Sequence, residues 1–105
     1  SMTNMVSMSV KQPMAELVPL NAARAAVIGV AKSLATELAP KNIRVNAIIA
    51  GLMTTENAEA TYGGADAQAA VGRSMPLGRM GTGEDLAGAV LWLCSPLASW
   101  VSGAR

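Results

Sequence analysis

The sequence contains no histidine, no phenylalanine and a single cysteine, and its aromatic residues are Tyr62, Trp92 and Trp100 alone. Without histidine, Ser-His-Asp and Cys-His catalysis are excluded, and zinc loses its usual ligand, so no metal site is expected. Cys94 has no partner for an internal disulfide. A reducing, cytoplasmic setting is therefore expected, and the apolar run around Cys94 predicts a buried structural thiol rather than a nucleophile. Charged residues make up only 14% of the chain, well below the usual share for a soluble domain. Two readings follow: an ordinary Ala-rich core, or apolar surface that needs cover from the rest of a larger fold or from a partner chain. The second is the stronger expectation.

Eight basic and seven acidic residues leave a net charge of +1, and the basic ones are scattered without interleaved aromatics. No nucleic-acid partner is expected from that pattern. The longest apolar runs are interrupted by Arg24, Lys32 and Glu37, far short of the roughly 20 clean residues a transmembrane helix needs, so no membrane partner is expected. No stretch reads as a secretory leader. The 105 residues suffice for one domain, 1–105.

Hydrophobic residues account for 51% of the chain, and their spacing predicts alternating strands and helices. "MTNMVSMSV" is short and partly alternating, a strand end followed by a loop marked by Gln12-Pro13. A long helix is predicted over 20–39, with Asn21 as its cap and Pro40 as its stop. Its apolar positions cover most of the circumference, which predicts burial on more than one side. "IRVNAIIAG" is a β-branched run ending at Gly51 and reads as a strand buried on both faces, as in a parallel sheet. Strand, helix and strand make a βαβ unit, whose crossover should be right-handed. A long segment with a Gly63-Gly64 break and two weak helical patches follows, the kind of segment that often carries binding loops. "TGEDLAGAVLWLCSP" is a clearer helix. Thr82 and Asp85 have capping-box spacing, Pro96 is the stop, and Leu86, Val90, Leu93 and Cys94 form the inward stripe.

Taken together, "NAARAAVIGVAKSLATELAPKNIRVNAIIAGLMTT", "PLGRMGTGEDLAGAVLWLCSP" and "SWVSG" resemble the C-terminal half of the short-chain dehydrogenase/reductase family, especially its 3-oxoacyl-carrier-protein reductases. The resemblance spans nearly the whole chain. It implies an α/β fold: the C-terminal half of a Rossmann-like doubly wound parallel sheet, a βαβ unit plus further helices, in a single incomplete domain. It also implies hydride transfer between NAD or NADP and a small-molecule carbonyl or alcohol.

The family's Tyr-x-x-x-Lys pair places a phenol and an ammonium one helical turn apart. Here the lysine position is Arg24 and the tyrosine position is Leu20. Leucine carries no transferable proton. Arg24 keeps its charge and can bind a ribose hydroxyl or a phosphate, with a planar fork in place of a point charge. Arg24 is thus a candidate both for catalysis and for cofactor binding.

The family's catalytic serine falls on Ser7. Two readings of Ser7 stand side by side: a hydroxyl that bonds a substrate oxygen, or one that satisfies loop backbone. After the second strand the family has Pro-Gly and then a threonine at the nicotinamide end. This chain has Ala50-Gly51 and Thr55, so Gly51, the backbone at Met53, and Thr55 are the further cofactor-binding candidates. Tyr62 lies in the long segment and reads as a solvent or core contact rather than a substitute phenol.

No glycine-rich strand-to-helix turn occurs to cradle a pyrophosphate. "GRMGTGED" follows a loop rather than a strand. The expectation is therefore a truncated or partial dehydrogenase, inactive alone and binding no cofactor by itself, with NAD or NADP belonging to the parent protein. A homo-oligomer formed through the helix 20–39 is expected as a structural consequence. The alternative is a non-catalytic oligomerisation or interaction module built on the same fold.

Overall fold

The computed structural model describes all residues, 1–105, and divides them into two compact units, Ser1–Ala50 with Gly88–Arg105, and Gly51–Ala87. In the first unit, strand β1 (Met2–Ser7) is followed by a 3₁₀ turn over Met8–Val10, helix α1 (Val18–Glu37), a second 3₁₀ turn over Ala39–Lys41, and strand β2 (Val45–Ala50). The strands pair in parallel, from Met2 opposite Val45 to Ser7 opposite Ala50. Both carboxyl ends therefore lie at one end of the sheet, where open α/β sheets place their ligands.

Helix α1 starts at Val18, earlier than its apolar pattern suggests, and Asn21 is not its cap. Leu17 occupies the cap position without a side-chain bond, and Pro19 lies in the first turn. Proline is favoured there because its missing N–H is one the first turn leaves unpaired anyway. Asn21 instead donates from Nδ2 to the Met14 carbonyl at 2.8 Å, tying the incoming loop to the helix. At the other end the helix passes into the 3₁₀ turn containing Pro40, and Asn42 adopts a left-handed conformation before β2.

Of α1, only Ile28, Ala31 and Ala35 are buried in the chain, a single stripe against the sheet. Ile28 packs with Val6 and Ala47, and Ala31 and Ala35 pack with Val45. The remaining apolar faces are bare, with Val18 72% and Val30 57% exposed. The all-round apolar character therefore does not translate into all-round burial within this chain.

A C-terminal segment extends the sheet beyond β2. The Ala47 N–H donates to the Ala104 carbonyl at 2.9 Å, and the Gly103 N–H to the Val45 carbonyl at 2.7 Å. Gly103 has φ of 74°, a conformation glycine adopts without strain. Two polar residues of β2 secure this segment. Asn46, 1% exposed, donates from Nδ2 to the Val101 carbonyl at 2.9 Å and accepts at Oδ1 from the Ala104 N–H at 3.1 Å. Arg44, just before the strand, donates to the carbonyls of Leu93 at 2.8 Å, Ser95 at 3.1 Å and Val101 at 3.3 Å. A guanidinium at the end of a helix satisfies carbonyls that have no partner within it and offsets the helix dipole.

In the second unit the two weak helical patches are helices α2 (Ala58–Tyr62) and α3 (Ala65–Ser74), separated by Gly63 and Gly64. Gly63 has φ of 94°, which explains why the chain breaks there. Met53 forms an isolated parallel bridge with Gly81. Helix α4 (Gly83–Cys94) begins with the reciprocal cap its sequence predicts. The Thr82 N–H donates to Asp85 Oδ2 at 2.8 Å, and the Asp85 N–H donates to Thr82 Oγ1 at 3.3 Å. Arg79 adds a bidentate pair to the same carboxylate, at 2.6 and 2.8 Å.

Towards the end of α4, Leu93 is buried and Val90 half-buried, but Cys94 is exposed. The expected buried thiol is thus a surface one, because the inward stripe ends at Leu93. No helix is long and apolar enough to cross a membrane.

Candidate functional site

The carboxyl end of β1 brings together three polar side chains within the first unit. Ser7 closes the strand, and its Oγ accepts from the Ser9 N–H at 3.5 Å, capping the short 3₁₀ turn. That contact is the backbone-satisfying role foreseen as one of its two readings. Its hydroxyl proton takes no part in that contact, because a hydroxyl donates and accepts independently.

Ser9 is 1% exposed, and its Oγ accepts from Arg24 Nη1 at 3.1 Å. Arg24 stands one helical turn before Ile28, so the stripe Arg24, Ile28, Ala31, Ala35 runs along the sheet-facing side of α1. The guanidinium is consequently half-buried, and no carboxylate pairs with it; the chain's one ion pair joins Arg79 and Asp85. Leu20 lies a further turn back on the same face and is 43% exposed. This is the position that the resemblance gives to the family's phenol, and the leucine side chain carries no acid or base group.

Ser9 was not singled out by sequence reasoning. The available signal was a second hydroxyl in an otherwise apolar Met8-Ser9-Val10, a place where a polar side chain must find a partner if it is buried.

The other predicted residues lie in the second unit. Gly51 is exposed, and a Cβ built there would meet nothing within 4 Å. Glycine is therefore not sterically required by the protein at this position, and the backbone is open on that side. Met53 shares its bridge through its neighbours: the Gly81 N–H donates to the Leu52 carbonyl at 3.0 Å, and the Thr54 N–H to the Gly81 carbonyl at 2.8 Å. The N–H and C=O of Met53 itself thus point away from Gly81 and make no bond within the protein. Gly81 packs tightly against the other side, since a Cβ there would come within 2.6 Å of Met53 Sδ. Thr55 is exposed, and its carbonyl accepts from the Ala58 N–H at 2.9 Å, leading into α2. Tyr62 ends α2. No three His, Cys, Asp or Glu side chains are grouped so as to hold a metal ion.

The family model described as enoyl-(acyl carrier protein) reductase matches residues 1–105. The chain belongs to the short-chain dehydrogenase/reductase family. It is 37% identical over 97 residues to dehydrogenase/reductase SDR family member 4 of Sus scrofa, covering 92% of this chain and 35% of that protein. It is 41% identical over 80 residues to the 3-oxoacyl-[acyl-carrier-protein] reductase FabG of Aquifex aeolicus, covering 76% of this chain and 32% of that one.

Among solved structures, an NADPH-bound short chain oxidoreductase of Pseudomonas aeruginosa PAO1, described as containing an atypical catalytic center, superposes with a TM-score of 0.88. The two are 35% identical, and the match covers 97% of this chain and 41% of that one. The chain therefore spans about two fifths or less of the length of these relatives. The mixed strand and helix order, with its parallel β1–α1–β2 unit, is the family's Rossmann-like α/β architecture in part.

Proposed function

We propose that this chain contributes part of the nicotinamide end of an NAD(P)-dependent oxidoreductase acting on a small carbonyl or alcohol, and that it does so without a phenolic proton donor. The observation that carries this reading is the half-buried Arg24 guanidinium, free of any carboxylate, at the carboxyl end of β1. A cation shielded from water and lacking a counter-charge is poised for a ligand with negative or hydroxylic oxygens.

The residues suit the nicotinamide and its ribose. Arg24 keeps donors for a ribose hydroxyl or a phosphate oxygen, and the Ser7 hydroxyl keeps a proton for a substrate oxygen. In the second unit the open backbone at Gly51, the unengaged peptide groups of Met53, and Thr55 are the corresponding candidates. They do not suit the pyrophosphate, for which no glycine-rich strand-to-helix turn exists in these residues. When bound, the cofactor supplies or accepts a hydride. The chain's own residues bind and orient; with Leu20 at the tyrosine position, none of them is placed to move the substrate's proton.

These residues by themselves are accordingly proposed to be a partial dehydrogenase that neither holds the whole cofactor nor turns over. A Pseudomonas relative is itself described as containing an atypical catalytic center, so departures at that center occur among the chain's relatives. Fluorescence titration of the purified chain with NADH and NADPH tests the reading. Weak or undetectable binding is expected, and tight stoichiometric binding with reduction of a carbonyl compound would overturn it.

The bare apolar positions of α1 favour a second reading, self-association through this helix, with or without catalysis. Light scattering across a concentration series separates the two. A monomer at high concentration refutes self-association and leaves the cofactor reading standing.

A further inference from the structure

We infer that Ser9 is the positioning residue for Arg24: its buried hydroxyl fixes the guanidinium so that the remaining N–H groups face a ligand. The inference rests on the binding role proposed above for Arg24, but its own basis is geometric. Arginine side chains are long and rotamer-rich, and an unpaired one ordinarily samples many positions. Here Nη1 is held at 3.1 Å by an oxygen on a side chain that is buried.

Ser9 is 1% exposed, and its own N–H is received by Ser7 Oγ. A short relay therefore runs from the last residue of β1 through Ser9 to α1. Each link restrains the next: Ser7 sets the turn, the turn sets the Ser9 hydroxyl, and the hydroxyl sets the guanidinium. The reverse dependence also holds. Ser9 Oγ would be buried and without a partner if Arg24 moved away, since Arg24 is the only side chain bonded to it. Ser9 thus gives the half-buried cation one fixed anchor. A guanidinium has five donor hydrogens, so one bond leaves four. No carboxylate consumes them. The ligand class this fits is an oxygen-rich group such as a sugar phosphate, bound by a fork held ready rather than assembled on arrival.

The test uses the whole chain, with nitrogen-detected NMR of the arginine side chains and ribose 5-phosphate as the probe. In the wild type, the Arg24 guanidinium is expected to show restricted rotation and separate Nη–H signals. Ser9→Ala should collapse them to averaged signals. It should also weaken ribose 5-phosphate binding, followed by Arg24 shifts, about tenfold, the loss expected for a hydrogen bond to a charged group. Ser9→Thr, which keeps the hydroxyl, should restore both readouts. A merely structural Ser9 would change the melting temperature and leave the guanidinium signals as they were.

If Ser9→Ala fails to fold, Ser9→Cys, close in shape but a weak acceptor, replaces it with the same expectation. Unchanged Arg24 signals in a folded Ser9 variant would overturn the inference. If Ser9→Ala frees the guanidinium but ribose 5-phosphate leaves Arg24 undisturbed in every form, the positioning stands and the ligand role of Arg24 falls.

Discussion

Replacing Asn46 tests how the first unit is held together. This side chain is 1% exposed and bridges β2 to the C-terminal segment in both directions, donating to Val101 and accepting from Ala104. Asn46→Ala removes two hydrogen bonds worth about 1 kcal/mol each in net terms. Val101 and Ala104 are not fully buried, so water can re-satisfy them. The expected cost is therefore roughly 2 kcal/mol, without a further large penalty for stranded partners.

Asn46→Asp separates the two bonds. It keeps an acceptor for the Ala104 N–H but loses the donor to Val101. The Arg44 guanidinium donates to the same carbonyl at 3.3 Å, so its attraction for the new carboxylate opposes the desolvation cost and the repulsion from the carbonyl. With those terms opposed, Asn46→Asp should cost about 1 kcal/mol, the one bond lost, against roughly twice that for Asn46→Ala. Urea unfolding followed by far-ultraviolet circular dichroism, with the slope checked, measures both. If both variants match the wild type, the bridge does not hold the segment as described.

Further outcomes follow from other contacts. The Arg79 hydrogen bond, with the Thr82 bonds, holds the Asp85 carboxyl well below its usual range; its contribution to the start of α4 is therefore present above the ordinary carboxylate pKa and lost as pH falls through the depressed one. Amide shifts of Thr82 should follow that titration only at strongly acidic pH, and Asp85→Asn should remove it. The Cys94 thiol is lowered mainly by its hydrogen bond with Thr3, at 3.6 Å, so Thr3→Val should slow its alkylation by iodoacetamide near pH 8; an unchanged rate refutes the contact. Leu20→Tyr would place a phenol one turn from Arg24, and its ultraviolet titration should fall below the usual value of about 10 and return towards it with Arg24→Ala. Val30→Asp should shift any self-associated species towards monomer in light scattering, since Val30 is exposed on α1.

Local signals carried much of the architecture. The β-branched run 43–51, the Pro40 stop and the Thr82–Asp85 spacing each have a physical cause within a few residues, and β2, the end of α1 and the α4 cap appear close to where those causes place them. The start of α1 was misplaced because Asn21 looked like a cap, while the chain used Pro19 in the first turn and sent Asn21 back to Met14. Cys94 was misjudged because an apolar run does not say which face turns inward. Arg44 and Asn46 could not have been found, as their partners lie about fifty or more residues away in sequence. The same limit hid Ser9, whose role depends on a side chain from α1.

The proposed departure from the family's catalytic pair is compatible with the fold for a definite reason. Along α1 the positions 20, 24, 28, 31 and 35 recur at helical spacing, and only the last three are buried enough to be fixed by packing. Ile28, Ala31 and Ala35 therefore determine how the helix lies on the sheet. Leu20 and Arg24 sit where that same stripe emerges towards the strand ends, outside the apolar cluster, so their chemistry can change with only the buried Ser9 hydroxyl left to re-satisfy. A leucine at 20 offers no transferable proton and an arginine at 24 retains a cation, while β1, α1 and β2 stay in register. Fold and chemistry are thus specified by different turns of one helix. That separation is why the family can be stated from the whole chain while the activity has to be argued from Ser7, Ser9 and Arg24.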